Sequence, residues 1–274
     1  MGNQDQQSKI KQLKNGHVSM PNGFYAEGIA AGIKSNKQKD LAVLYADQPC
    51  NFVALYTQNQ LKGESLKWTI DLLNDNKPFR GLLVNSGNAN TAVGATGYNH
   101  AKELAFLLAD KIQADPEEIY IASTGIIGIE LPMDLMRTGI EALNLNQSKG
   151  DDFAQAILTT DTQSKEVALE IEYKDKKYMI AGCAKGAGMI HPNLATMLAF
   201  VTTDVPIDPK WAHQILTESV NLSFNMIDVD MDTSPCDMVA LISKQGSKNE
   251  IVDQTHPLSA LFKEALQKVC IHLA

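Results

Sequence analysis

The chain has 274 residues, 44% of them apolar and 20% charged, with a formal net charge of −8. That is enough apolar material for a large core in one unit or two intertwined ones, while the acidic balance argues against nucleic acid as the main partner, since phosphate binding needs a concentrated basic face. No apolar run approaches membrane-spanning length, and Cys50, Cys183, Cys236 and Cys270 are scattered without a Cys-x-x-Cys pair, so reduced thiols are expected rather than a zinc site or a disulfide framework.

Residues 1–14 are Gln- and Lys-rich, unlike a signal peptide, and are expected to form a disordered tail. A Gly- and Ala-rich stretch over 26–34 leads to two strand-like runs, 41–45 and 52–56. The apolar run 81–84 empties into Asn85-Ser86-Gly87-Asn88-Ala89-Asn90. Such a loop either binds an anion through backbone N–H groups or turns by using Asn and Gly in left-handed conformations; it is assigned no catalytic role. Leu104, Leu107, Leu108 and Ile112 predict an amphipathic helix over 101–112, with Asn99 as its cap.

The short strand 119–122 ends in Ser123-Thr124-Gly125. A Thr-Gly pair leaving a strand is either a turn or a hydroxyl and a backbone N–H side by side, the two donors that an oxyanion requires. Helices are expected over 132–143 and 152–158, the second running into the hydroxyl-rich corner Thr159-Thr160-Asp161-Thr162. Residues 167–173 and 178–182 alternate around a charged turn and read as a hairpin.

The second hairpin strand delivers Gly-Cys-Ala-Lys-Gly-Ala-Gly-Met-Ile-His-Pro-Asn-Leu-Ala-Thr-Met-Leu-Ala-Phe, residues 182–200. This is a glycine-rich loop ahead of a short apolar strand, either structural or suited to presenting Thr196 as a nucleophile. A threonine hydroxyl is weak, and chain cleavage just before it would place a new α-amine beside it as base. Lys185 is the one cation of this loop, solvated or able to pair with a carboxylate. His191, in a His-Pro pair, is read as packing. Further on, Asp208-Pro209 caps a helix carrying Trp211, Ile215, Leu216, Ser219 and Leu222. Asp228, Asp230 and Asp232 alternate like a calcium loop but lack its Gly and its closing Glu, so no metal is expected. From Pro257, a broad stripe including Leu258, Leu261, Phe262, Leu266 and Val269 predicts a final helix, cut off at Ala274 in mid-stripe with no stop signal, as a truncation would leave it.

Residues 185–200 resemble the self-cleavage and nucleophile motif of the ornithine acetyltransferase family, the bifunctional glutamate N-acetyltransferases of arginine biosynthesis. The resemblance implies cleavage between Ala195 and Thr196, an acetyl group carried by Thr196, and an oxyanion hole at Thr124 and Gly125. It implies substrate binding by Lys185 and by Thr162, with Thr159 and Thr160 as alternatives on the same corner. Acetyl would pass from N-acetylornithine to glutamate, with acetyl-CoA as an optional second donor and no cofactor. The implied fold is α+β, layered mixed sheets flanked by helices, as in the N-terminal-nucleophile aminopeptidases. Regions 15–195 and 196–274 would be α and β chains of one intertwined unit, paired into a cytoplasmic heterotetramer. Family members usually carry Gly where Met231 stands and Asn where Cys236 stands, which leaves the local turn geometry open here, because a positive φ that Gly supplies freely is reached by Met only at a cost. They also continue beyond this chain with an Asp-Gly-Glu-Gly stretch and a final substrate-binding segment. The alternatives are an N-terminal-nucleophile amidohydrolase or aminopeptidase, in which water resolves the acyl-enzyme, and an inactive truncated member.

Overall fold

The computed structural model describes residues 9–145, 148–188, 197–247 and 249–274. Strands β1 (Lys9–Gln12), β2 (Phe24–Ile29), β3 (Leu41–Tyr56), β4 (Phe79–Asn88), β5 (Ile119–Ile126), β6 (Lys165–Tyr173), β7 (Lys176–Lys185), β8 (Leu198–Thr203) and β9 (Met238–Lys244) join in one mixed sheet. Its order is β1-β6-β7-β8-β9-β3-β4-β5, with β2 paired to the first part of β3. The pairs β4–β5 and β8–β9 are parallel; the other pairings are antiparallel. Helices α1 (Glu64–Asn74), α2 (Gly94–Ile112), α3 (Met133–Ala142), α4 (Gly150–Ala156), α5 (Pro209–Asn221) and α6 (Ser259–Leu273) cover the sheet.

Side chains that alternate along the central strands feed two separate cores. Leu198 and Phe200 of β8, with Met238, Ala240 and Ile242 of β9, join the core beneath α1–α4. Ala199, Val201, Val239 and Leu241 join the core beneath α5 and α6. Burial on both faces is why β8 is a continuous apolar run rather than an alternating one. The hairpin β6–β7 and the Asp208 cap, which accepts from the Trp211 N–H at 2.9 Å, match the expectation.

Four sequence expectations are corrected. Within the tail expected to be disordered, Lys9–Gln12 instead adds an edge strand to β6, where backbone pairing suffices and polar side chains face water, while residues 1–8 lie outside the described residues. The two runs at 41–45 and 52–56 are parts of one long strand with an irregularity between Tyr45 and Cys50. Asn99 is no cap, because α2 begins at Gly94; its first turns carry small residues, Gly97 lying too close to Val93 and Asn90 for a side chain. The stretch after residue 84 continues as strand to Asn88, and its polar side chains bond inward: Ser123 Oγ donates to Asn85 Oδ1 at 2.6 Å, and Asn90 Nδ2 donates to Ser65 Oγ at 2.9 Å.

Candidate active site

The carboxyl ends of β5 and β7 meet beside the loop that precedes β9. Strand β5 brings Thr124, buried, and Gly125, whose φ of +134° suits only glycine. A Cβ on Gly125 would lie 2.3 Å from the Gly87 carbonyl carbon and 2.5 Å from the Asn88 nitrogen, so β4 and β5 approach here as closely as bare backbone permits. Strand β7 brings Lys185, 3% exposed, whose Nζ donates to Thr124 Oγ1 at 2.7 Å. Because the threonine oxygen accepts from the ammonium, its own hydroxyl proton is left to donate elsewhere. Burial lowers the Lys185 pKa, against the pull of Asp161, Asp237 and Cys236.

Thr124, Gly125 and Lys185 line a cavity of about 830 Å³ together with Lys34, Thr159, Thr160, Asp230 and Asp232. That volume admits an amino-acid-sized ligand, and the wall offers both cationic and anionic side chains. The Lys34 Nζ donates to the Leu158 and Lys39 carbonyls at 2.6 and 2.9 Å, and burial lowers its pKa. The hydroxyl corner is tied to the end of β7 through Asp161, whose carboxylate accepts from the Gly186 N–H at 2.6 Å and from the Thr159 N–H at 3.2 Å. Thr159 and Thr160 line the cavity; Thr162 sits on the same corner, exposed, and is not among the lining residues. Ala195, Thr196 and His191 lie outside the described residues.

Beside Met197 stands a residue that sequence spacing does not single out. Asp237, 2% exposed, accepts from the Met197 N–H through Oδ1 at 3.0 Å, while the Met197 carbonyl accepts from the Met238 N–H at 3.0 Å. Burial pushes the Asp237 carboxyl up to about 8, against Ser234, Lys185 and the Met197 amide. A single aspartate between a Ser-Pro-Cys loop and a strand has no spacing to betray it; the one available signal was an ionisable residue entering a wholly apolar run. Nearby, Cys236 Sγ lies 3.3 Å from Thr91 Oγ1 and 3.4 Å from the Ala89 carbonyl oxygen, and Met231 does take a positive φ, +61°.

The ArgJ family model matches residues 25–274. This chain belongs to the ArgJ family. The arginine biosynthesis bifunctional protein ArgJ of Oceanobacillus iheyensis is 40% identical over 266 residues, which are 97% of this chain and 65% of that protein. The chain thus spans just under two thirds of the length of the curated ArgJ relatives it matches. A solved ornithine acetyltransferase from Mycobacterium tuberculosis, complexed with ornithine, is 32% identical with a TM-score of 0.60; the match covers 67% of this chain and 98% of that one. The L-aminopeptidase D-Ala-esterase/amidase of Ochrobactrum anthropi, a variant of the Ntn hydrolase fold, is 10% identical with a TM-score of 0.54 over 96% of this chain and 86% of its own, a likeness of fold alone. The layered α+β fold expected from the family is the fold found.

Proposed function

We propose that this chain carries the acyl-transfer site of an ArgJ-type enzyme, moving acetyl from N-acetylornithine to glutamate through an acetyl-threonine on Thr196. The observation that carries the reading is the buried contact between Lys185 Nζ and Thr124 Oγ1 in the cavity wall, beside the left-handed Gly125. Self-cleavage after Ala195 gives Thr196 a free α-amine. Thr196 Oγ attacks the acetamide carbonyl, the α-amine takes the hydroxyl proton, and the departing ornithine amine receives it. The glutamate amine then attacks the ester, its proton passes through the same amine, and Thr196 Oγ leaves as the hydroxyl. In both halves the Thr124 hydroxyl and the Gly125 N–H stabilise the oxyanion.

Lys34 and Lys185 suit the α-carboxylate of either amino acid, and Asp230 and Asp232 suit an ammonium. The hydroxyl corner, with Thr162 and the lining Thr159 and Thr160, completes the amino-acid contacts. The reaction needs no cofactor, and acetyl-CoA serves as a second donor. The cleaved chains work in the cytoplasm as a heterotetramer.

The test is incubation with N-acetylornithine, with and without glutamate, following ornithine and N-acetylglutamate. Without glutamate, ornithine should stop at about one equivalent per site as Thr196 becomes acetylated, with continuous release only when glutamate is present; Lys185→Met should raise KM for both substrates about tenfold or more, and Thr196→Ala should give no turnover. Turnover by Thr196→Ala would end the account, and acetate released equally with and without glutamate would make the protein a hydrolase.

A further inference from the structure

The hydroxyl corner that follows α4 is joined to the end of β7 by one side chain. Asp161 Oδ1 accepts from the Gly186 N–H at 2.6 Å and Oδ2 from the Thr159 N–H at 3.2 Å. Both carboxylate oxygens are spent on backbone, and among the described residues no other hydrogen bond runs from residues 159–162 to the end of β7. Gly186 adjoins Lys185, while Thr159 and Thr160 line the cavity. A carboxylate that only closed a turn would bond Thr159 two residues back; the bond to Gly186 spans 25 residues and fixes Lys185 relative to the corner.

The same side chain meets a charge problem. Lys185 is almost wholly buried and Lys34 half-buried, and besides losing water the two ammonium groups repel each other. Among the described residues neither forms an ion pair: Lys185 Nζ donates to Thr124, and Lys34 Nζ donates to the carbonyls of Lys39 and of Leu158, the residue that leads into the corner. Asp161 is the carboxylate that favours the charged form of both. Resting on the reading of this cavity as an amino-acid site, we propose that Asp161 is a positioning residue for substrate binding: it holds Lys185 against the hydroxyl corner and supplies the counter-charge that lets two ammonium groups face one α-carboxylate.

The test is calorimetric binding of ornithine to the full chain between pH 6 and 9, for wild type, Asp161→Asn and Asp161→Glu, with a thermal melt of each. Ornithine's own amines titrate alike in every sample, so the ratio of variant to wild-type Kd reports on the protein. The groups facing Lys185 are Asp161 from the corner, Asp237 and Cys236 from the loop before β9, and Lys34 from the loop before β3, with Asp230 and Asp232 elsewhere in the cavity wall. Asparagine keeps one acceptor but turns its own N–H groups toward the second backbone N–H, and its charge is gone. Ornithine should therefore bind Asp161→Asn about tenfold more weakly or worse at pH 6. The ratio should widen about threefold more by pH 9, because Lys185 without Asp161 gives up its proton at lower pH. A purely structural role would lower the melting temperature and leave the ratio flat. Asp161→Asn with wild-type affinity, or with a ratio unchanged between pH 6 and 9, would overturn the assignment while leaving the amino-acid site standing. A wild type that does not bind ornithine would overturn both. If Asp161→Asn fails to fold, Asp161→Glu, which keeps the charge and displaces it by one carbon, decides: a loss of about tenfold supports the proposal, and wild-type affinity refutes it.

Discussion

Replacing Gly125 by alanine tests the tightest point of the site. The φ of +134° costs a residue with a Cβ about 1–3 kcal/mol. The added carbon would meet Gly87 and Asn88 backbone atoms at 2.3–2.7 Å, and relieving that overlap costs about 1–3 kcal/mol more, because β4 is packed and paired on both sides. The sum, about 2–6 kcal/mol, is a large part of a typical stability of roughly 5–15 kcal/mol. At about 2–4 °C per kcal/mol for a chain of this size, the melting temperature should fall on the order of 10 °C. The Gly125 N–H would shift with the backbone, so under the oxyanion role proposed for it acetyl transfer should drop about 10²–10³-fold in kcat, the range for a lost oxyanion donor. Gly128→Ala is the control: its φ is +84° but no atom lies within 4 Å of the new carbon, so only about 1–2 kcal/mol should be lost, with kcat kept. A Gly125→Ala protein that melts within about 2 °C of wild type and turns over normally would refute the reasoning.

Met231→Gly should raise the melting point by a few degrees, since it removes about 1–2 kcal/mol of left-handed strain against about 0.5–1 kcal/mol of added chain entropy, and the lost side chain is 72% exposed; a lower melting point would show the residue is held by packing. All four cysteines are buried, with pKa values pushed upward by burial, to about 12 for Cys50 and Cys270 and about 11 for Cys236. Ellman's reagent at pH 8 should therefore find no fast thiol in the native protein and all four after denaturation; rapid labelling of Cys236 would show that the cavity opens. The Asp237 carboxyl titrates near 8 when folded and near its ordinary 3.8 when unfolded. Its ionisation then favours the unfolded chain, a loss absent below about pH 4 and complete above about pH 8. Chemical denaturation of Asp237→Asn should diverge upward from wild type across that window, with a ceiling on the order of 5 kcal/mol; parallel curves would contradict the burial.

Thr124, Gly125 and Lys185 stood out in the sequence because each closes a strand at a small-residue loop and the resemblance named them; that they meet at one cavity wall comes from the sheet, which brings Lys185 to Thr124 across 61 residues. Helix α1 was not legible. Its buried face includes Ser65 and Thr69, whose hydroxyls bond Ser123 and the Ile121 carbonyl, so polar groups interrupt the apolar period that would have announced it. The extension of β4 to Asn88 was hidden for the same reason: its amides are spent inside the fold, not on a turn. Asp237 was invisible because its importance comes from a partner forty positions away, the Met197 amide.

The pair β8–β9 is inserted between β7 and β3, so the sheet is crossed twice by any cut made before Thr196. The downstream piece could leave only by opening two ladders at the centre of the sheet, one to β7 and one to β3. Cutting therefore removes a covalent link without loosening the body, but it changes the order of the unfolding reaction. An uncut chain unfolds alone; a cut one releases two pieces that must find each other again. The melting midpoint of a cut sample should climb with protein concentration, while that of an uncut sample stays fixed, so a simple dilution series distinguishes the two forms.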